Sequence, residues 1–249
     1  MHKSNPQNTA FGSLRCDTNS TPAGIISRVT ATHRALVALL WLVMATLVGV
    51  IVFGCAGRFD LPGVWIVIGS LVSFGAILAV VASDGLLRER LRPKQGNQDR
   101  LTQPLSLLVM LSQWVIAGLD ARFDWSQLPL TVAVAGGVGY AAALFIVLWA
   151  MLSNPFYSSV VRVQTDRGQT PISSGPYAIV RHPGYAASML AFLCGGLAFG
   201  SGLAMIPIAI FITLFVRRTL LEDRHLQANL PGYSEYAQRV RYRLIPGVL

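Results

Sequence analysis

The segment 173–185 carries the densest set of chemically useful side chains in the chain and reads Ser-Ser-Gly-Pro-Tyr-Ala-Ile-Val-Arg-His-Pro-Gly-Tyr. It lies between strongly apolar segments and offers hydrogen-bond donors, a cation and a titratable imidazole. These groups belong to Tyr177, Arg181, His182 and Tyr185. A loop that only connected two membrane spans would need a turn and some polarity, but not this combination. The segment is therefore a candidate site at the edge of a membrane.

A second polar group follows the last apolar segment. Arg218 and Glu222 are four residues apart, and His225 follows three residues later, so a helix places all three on one face. One interpretation is structural: the arginine reaches toward lipid headgroups and pairs with Glu222. The other is that this polar stripe completes the site begun by segment 173–185.

The elements that position these groups are predicted to be membrane helices. The 249 residues are 53% hydrophobic and only 12% charged, which indicates an integral membrane protein of one domain. Each apolar segment is continuous rather than alternating, so the predicted fold class is all-α, with about six transmembrane helices. The third and fifth segments are short, and the last two should form a short helical hairpin joined at 200–202. The six segments are 35–57, 61–83, 104–119, 128–152, 185–199 and 203–221.

The distribution of positive charge predicts the orientation. Of 20 Lys and Arg residues, 18 lie in the two terminal segments and in the loops 84–104 and 153–184, and only Arg58 and Arg122 lie on the other side. The positive-inside rule then places both termini in the cytoplasm. Residues 1–34 are polar and are predicted to be a disordered cytoplasmic tail, leaving 35–249 as the integral membrane domain.

Three other functions are disfavoured: nucleic-acid binding, metal binding and nucleotide binding. The net charge of +9 follows the topology, so no nucleic-acid partner is expected. The four histidines lack ligand spacing, so no metal site is expected. Gly136, Gly137 and Gly139 lie inside the fourth apolar segment without a preceding strand, which favours close helix packing over nucleotide binding.

The segment after Leu226 is predicted to form an interfacial helix. Tyr233, Tyr236 and Val240 would share one apolar face, and nearby arginines would face the headgroups. Such a helix either covers a cofactor pocket or only binds the membrane surface.

Four short motifs follow one another over residues 174–246: Gly-Pro-Tyr, Arg-His-Pro-x-Tyr, Arg-x-x-x-Glu-Asp and Gly-Tyr-x-x-Tyr-x-x-x-Val. Their order resembles the isoprenylcysteine carboxyl methyltransferase family and, more loosely, the wider group that includes phospholipid N-methyltransferases. Upstream, the run Glu-Arg-Leu-Arg-Pro at 89–93 looks like that of bacterial members. The resemblance therefore covers mainly the last third of the chain.

The resemblance implies S-adenosylmethionine as cofactor, bound on the cytoplasmic side within residues 160–246. It also implies that Arg218 faces the carboxylate of a lipophilic, prenylcysteine-like substrate, with membrane lipids as the other partners. The implied cofactor-binding residues are Tyr177, His182, Pro183, Gly184, Tyr185 and Glu222, together with the less closely matching Arg162, Gln169, Thr170, Pro171 and Ile172.

This chain departs from the family pattern at two of those positions. Family members often have His where Gln169 stands, and Pro171 lacks the backbone N–H that could contact a ligand. These departures keep a non-catalytic membrane module open as an alternative.

The residues themselves favour one reaction without excluding another. Methyl transfer to a carboxylate needs no general base, but it needs a group that holds the anion, and Arg218 suits that role. Methyl transfer to a phospholipid amine is the alternative and needs a proton acceptor, for which His182, His225 and Glu222 are candidates.

Overall fold

The computed structural model describes residues 22–94 and 99–248, and within them the chain forms α-helices, short 3₁₀ turns and no strand. The predicted all-α class is therefore confirmed. Eight α-helices follow one another: α1 Pro22–Ala56, α2 Pro62–Val81, α3 Asp84–Leu91, α4 Thr102–Phe123, α5 Leu130–Ser153, α6 Pro183–Ala198, α7 Ile206–Asn229 and α8 Tyr233–Arg239.

Five segments of the described chain are long and apolar enough to cross a membrane: Ala31–Ala56, Pro62–Val81, Thr102–Phe123, Leu130–Ser153 and Leu203–Asn229. The protein is an integral membrane protein. Helix α6 is apolar but has only 16 residues, or about 24 Å of helix against a hydrocarbon core of roughly 30 Å. The predicted short fifth segment is confirmed, and it pairs with α7 as a helical hairpin.

Helix α4 is longer than predicted. The sequence suggested a short segment, 104–119, that ended before Asp120, whereas the helix runs through Phe123. Asp120 is fully buried because other groups replace its water: it accepts hydrogen bonds from the backbone N–H of Ser126 at 2.7 Å and from the hydroxyls of Ser126 and Ser201. A carboxylate that accepts three hydrogen bonds can be buried inside the bundle. Helix α4 therefore continues past Asp120.

The amino-terminal boundary also differs from the prediction. Helix α1 begins at Pro22, so residues 22–34 are helical and not part of a disordered tail. Arg34 gives a reason for this longer helix, because its guanidinium donates to the carbonyls of Ala79 and Val80 at 2.8 and 2.6 Å, where α2 leaves carbonyls without helical partners. The rest of the predicted tail, residues 1–21, lies outside the described residues.

Small residues bring α6 against α5, as predicted for the glycines of the fourth segment. A Cβ atom at Gly136 would lie 2.5 Å from the backbone nitrogen of Ala198, and one at Gly139 would lie 2.8 Å from Cys194 Sγ. Neither position has room for a side chain, so the helices pack backbone to backbone. This packing fixes α6, whose amino-terminal end carries the Arg-His-Pro-Gly-Tyr segment.

The orientation in the membrane stays a prediction that reporter fusions can test. Fusions after Asn97 and at the carboxyl terminus should both report a cytoplasmic location, because the flanking loops carry nearly all the positive charge. A fusion after Asp124, between α4 and α5, should report the opposite side. A cytoplasmic signal at Asp124 would contradict the model of alternating spans.

Candidate active site

A cleft lies at the end of the helix bundle where α6 begins and α7 ends. Its walls are the segment 154–172, the first turn of α6, the last turns of α7, and α8. Most of the predicted cofactor residues line it, although they come from four separate parts of the chain. The residues in question are Tyr177, His182, Gly184, Tyr185 and Glu222, and also Arg162, Gln169, Thr170, Pro171 and Ile172.

Two predicted site residues do not line the cleft. Pro183 is the first residue of α6, and His182 is the residue that precedes the helix, as the sequence predicted from the His-Pro pair. Arg218 lines a second cavity, described below. Pro183 therefore sets the position of the helix end rather than a wall of the cleft.

Gly184 allows an aromatic ring to close over the first turn of α6. A Cβ atom at this position would lie 2.5 Å from the Tyr157 hydroxyl oxygen and 2.7 Å from its ring. Only glycine leaves room for this approach. Tyr157 is not among the predicted site residues, because nothing in its immediate sequence indicates that it meets a residue almost thirty positions later.

Arg218 and Glu222 meet through Tyr185 rather than directly. The Tyr185 hydroxyl donates to Glu222 Oε2 at 2.5 Å and accepts from Arg218 Nε at 2.8 Å. Arg218 Nη2 donates to the carbonyl of Ser159 at 2.7 Å, and its guanidinium carbon lies 5.6 Å from the centre of the Tyr185 ring. A single hydroxyl thus connects the cation to the carboxylate.

His225 does not join this group. It lies outside the residues that line either cavity, and its ring nitrogen Nδ1 is 3.2 Å from Asn229 Nδ2 on the exposed side of α7. The predicted polar stripe therefore contributes two residues to the site, not three.

Asp223 holds the site together and was not selected from the sequence. Its carboxylate is fully buried. Oδ1 accepts from Arg181 Nε at 2.8 Å and from the Tyr233 hydroxyl at 3.0 Å, and it lies 3.2 Å from His182 Nε2. Oδ2 accepts from Arg181 Nη2 and Arg243 Nε, each at 2.9 Å. One carboxylate therefore fastens the start of α6 to α7, α8 and the segment after α8.

Helix α8 covers the cleft instead of only lying on the membrane surface. Tyr233 and Tyr236 are buried and line the cleft, and the Tyr236 hydroxyl donates to the carbonyl of Tyr177 at 2.8 Å. Burial, and after it the Asp223 carboxylate, raise the pKa of Tyr233 well above its usual value. The Tyr233 hydroxyl therefore stays protonated and remains a donor to Asp223.

The less closely matching residues lie in a wall that is fixed by its own contacts. The Arg162 side chain is only 7% exposed, and its Nη2 contacts Glu89 Oε2 at 2.8 Å while its Nη1 contacts Asp166 Oδ1 at 2.9 Å. The Gln169 side chain accepts from the backbone N–H of Gln164 at 2.6 Å. These polar groups already have partners in the loop and on α3, so they shape the cleft more than they offer free contacts to a ligand.

A larger, mostly apolar cavity lies beside the cleft, inside the bundle of α1, α2, α4, α5, α6 and α7. Its volume is about 530 Å³, and its lining includes Arg218. Tyr157, Ser158 and Tyr185 line both spaces and form a shared wall. The apolar lining includes Trp41, Val67, Phe74, Met110, Trp114, Leu144 and Phe192.

The chemistry of the cleft fits the cofactor that the resemblance implies. Glu222 forms no ion pair with another described residue, so its carboxylate can receive a ribose hydroxyl, an ammonium or the field of a sulfonium. Tyrosine rings around it suit an adenine or a cationic sulfur. The cleft volume of about 80 Å³ is below the roughly 300–1,000 Å³ usual for ligand pockets, so a ligand of this size requires the cleft to widen.

Residues 131–231 match the sequence model of a family described as phospholipid methyltransferase. The match runs from α5 to the end of α7 and includes both Tyr185 and Glu222. It supports the wider membrane methyltransferase group that the motifs resemble, and it leaves the carboxyl methyltransferase branch as a proposal.

Two curated proteins are similar to parts of the chain. The cobalt-zinc-cadmium resistance protein CzcN of Cupriavidus metallidurans is 25% identical over 130 residues, which cover 51% of this chain and 56% of that protein. The Delta(14)-sterol reductase TM7SF2 of Mus musculus is 30% identical over 99 residues, which cover 39% of this chain and 24% of that protein. The chain thus spans about half the length of the first relative and about a quarter of the second.

Proposed function

We propose that this protein transfers a methyl group from S-adenosylmethionine to the carboxylate of a lipophilic, prenylcysteine-like substrate at the cytoplasmic membrane face. The observation that carries the proposal is the position of Arg218. Its guanidinium lines the apolar cavity and also contacts the Tyr185 hydroxyl, which belongs to the wall shared with the polar cleft. An anion bound to Arg218 would therefore lie next to that wall, with its apolar tail in the cavity.

The residues suit a displacement in which both reactants arrive charged. Bound S-adenosylmethionine would supply a methyl group activated by its sulfonium charge. Arg218 would hold the carboxylate through Nη1, which is buried and makes no hydrogen bond within the described residues. Its ion pair with Asp99 Oδ2 is long, at 3.6 Å. Tyr157 and Tyr185 would exclude water from the reacting atoms, and positioning would account for most of the rate enhancement.

Methylation of a phospholipid amine is the second candidate, and the family match over residues 131–231 favours it. That reaction needs a proton acceptor close to the nitrogen. His182 Nε2 is already engaged by Asp223, and His225 lines neither cavity. Only Glu222 remains of the three predicted acceptors, so the arrangement supports the carboxylate more than the amine.

A non-catalytic membrane module is the third candidate. The departures at Gln169 and Pro171 are its only support, and Gln169 serves its own loop through the Gln164 backbone. Its prediction is that no methyl group is transferred to any lipid.

Incubation with methyl-labelled S-adenosylmethionine tests the three candidates together. The purified protein is given host lipid extract, a prenylcysteine acid or phosphatidylethanolamine, and the labelled products are treated with mild base. A methyl ester releases volatile methanol, whereas an N-methyl group resists base. Label that resists base supports the amine, and the absence of labelled product supports the non-catalytic module.

Glu222 and Tyr185 are expected to contribute directly to cofactor affinity. Replacing either with Ala should weaken S-adenosylmethionine binding by about 1 to 3 kcal/mol, because a charged hydrogen bond or an aromatic contact is lost. Calorimetry in detergent measures the change. Glu235→Ala is the matched control, because Glu235 is an exposed carboxylate on α8 outside the cleft. Unchanged affinity in both site variants would remove the cleft as the cofactor site.

A further inference from the structure

The mouth of the apolar cavity holds a second guanidinium besides that of Arg218. Arg90, on the short helix α3, lines this cavity together with Gln103 and Ser159. Its guanidinium carbon lies 5.6 Å from the centre of the Tyr157 ring, which is part of the wall shared with the cleft. Two cations therefore lie at the end of the cavity nearest to the reaction site.

Arg90 has no counter-ion among the described residues, unlike two other cations nearby, Arg162 and Lys94. Arg162 contacts Glu89 at 2.8 Å. Lys94 contacts Asp166 at 2.9 Å. Arg90 is half-buried, yet it makes no ion pair or hydrogen bond with any other described residue, and its guanidinium lies over the Tyr157 ring. A partly desolvated guanidinium with this surplus charge attracts an anion.

The two guanidiniums act on the same part of the wall. Burial raises the pKa of the Tyr157 hydroxyl, and the positive charges of Arg90 and Arg218 both oppose that rise, while Glu222 adds to it. Both arginines are thus close enough to influence one hydroxyl. An anion beside Tyr157 would lie in the field of both.

We propose that Arg90 is a second anion-binding residue of this cavity and makes it selective for acids over neutral lipids. The inference rests on the proposed function and deepens it. The favoured ligand has one apolar tail among the helices and a carboxylate held between Arg90 and Arg218. During transfer, a carboxylate oxygen forms a bond to the methyl carbon as the carbon–sulfur bond breaks, its electron pair stays on sulfur, and no proton moves. The ester product is neutral, so Arg90 also favours its release.

Binding of matched acids and esters tests this selectivity without any turnover. Trp41 and Trp114 line the cavity, so tryptophan fluorescence of the detergent-solubilised protein reports occupancy. The probes are N-acetyl-S-farnesylcysteine and its methyl ester, with oleate and methyl oleate as a second pair, all without cofactor. The wild-type protein should bind each acid about tenfold or more tightly than its methyl ester. Arg90→Gln should remove most of that difference by lowering the affinity for the acid alone.

Arg88→Gln is the matched control, because Arg88 lies on the same helix, is exposed and carries the same charge. It should keep the preference of the wild-type protein. Equal losses of acid and ester affinity in Arg90→Gln would show that Arg90 only packs against Tyr157, and a wild-type protein without acid preference would also overturn the inference.

Binding and turnover separate this inference from the proposed function. A protein that prefers acids through Arg90 yet transfers no methyl group to them would contradict the proposed function and support the inference. The opposite result is that Arg90→Gln and Arg88→Gln bind acids with equal affinity and methylate them at equal rates. It would support the proposed function and contradict the inference.

Discussion

Replacing Arg218 with Ala is expected to lower methyl transfer to a lipophilic carboxylate by about 10²-fold, or ~2.7 kcal/mol of transition-state stabilisation. The reason is that the variant removes the buried cation that contacts both Tyr185 and the apolar cavity. Affinity for S-adenosylmethionine should change little, since Glu222 and the rest of the cleft remain. Initial rates with labelled cofactor and calorimetry of cofactor binding measure the two effects separately.

Two further variants sharpen this test. Arg218→Lys should restore only part of the rate, because an ammonium cannot bind a carboxylate in a planar fork. Arg224→Ala should retain the wild-type rate, because Arg224 is an exposed arginine of the same helix and lines neither cavity. A normal rate in Arg218→Ala would contradict the role assigned to this residue.

The pH dependence gives an independent reading of the acceptor. A carboxylate is ionised above about pH 5, so its methylation should vary little between about pH 6 and 8. An amine must lose a proton before it reacts, so its methylation should speed up by about tenfold per pH unit in the same interval. A steep rise, combined with a fully active Arg218→Ala variant, would favour the phospholipid reaction.

Replacing Asp223 with Ala is expected to destabilise the protein by about 3 to 5 kcal/mol, because it leaves the buried Arg181 guanidinium without its carboxylate. The same change releases Arg243 and the Tyr233 hydroxyl. The start of α6 would then lose one of its connections to α8 and to the segment after α8. Thermal unfolding in detergent should show a clearly lower midpoint, together with weaker cofactor binding.

The controls for this prediction distinguish a lost ion pair from lost charge. Glu235→Ala removes one exposed negative charge from α8 and should leave the unfolding midpoint almost unchanged. Asp223→Asn keeps the shape of the side chain and should give an intermediate midpoint, because an amide can accept from Arg181 but cannot neutralise it. If Asp223→Ala and Glu235→Ala have the same unfolding midpoint, Asp223 does not stabilise the contact between the start of α6 and its neighbours.

The sequence could predict the apolar helices and much of the cleft because both leave local signals. Continuous apolar runs indicate membrane helices, and the His-Pro pair marks the start of α6 at Pro183. Tyr177, Gly184 and Glu222 were selected through short motifs, and they lie around one cleft. That these residues bind a cofactor stays a prediction.

The remaining features depend on contacts between distant residues. Asp223 follows Glu222 directly, but successive residues on a helix point about 100° apart, so it faces Arg181, 42 positions earlier in the chain, instead of the cleft ligands. The predicted span 104–119 stops before Asp120, and the sequence does not show that Asp120 can be buried, because its partner Ser201 lies 81 positions away. No local pattern carries either pairing.

The wall formed by Tyr157, Ser158 and Tyr185 has a consequence for kinetics. The polar cleft lies on one side of this wall and the apolar cavity on the other. One reactant would then enter from water, where its concentration is an amount per volume, and the other from the bilayer, where its concentration is an amount per membrane area. Adding inert phospholipid at constant protein and acceptor would then slow the reaction, although no bulk concentration had changed. The surface concentration of the acceptor in the bilayer, rather than its total amount in the cell, would determine the rate.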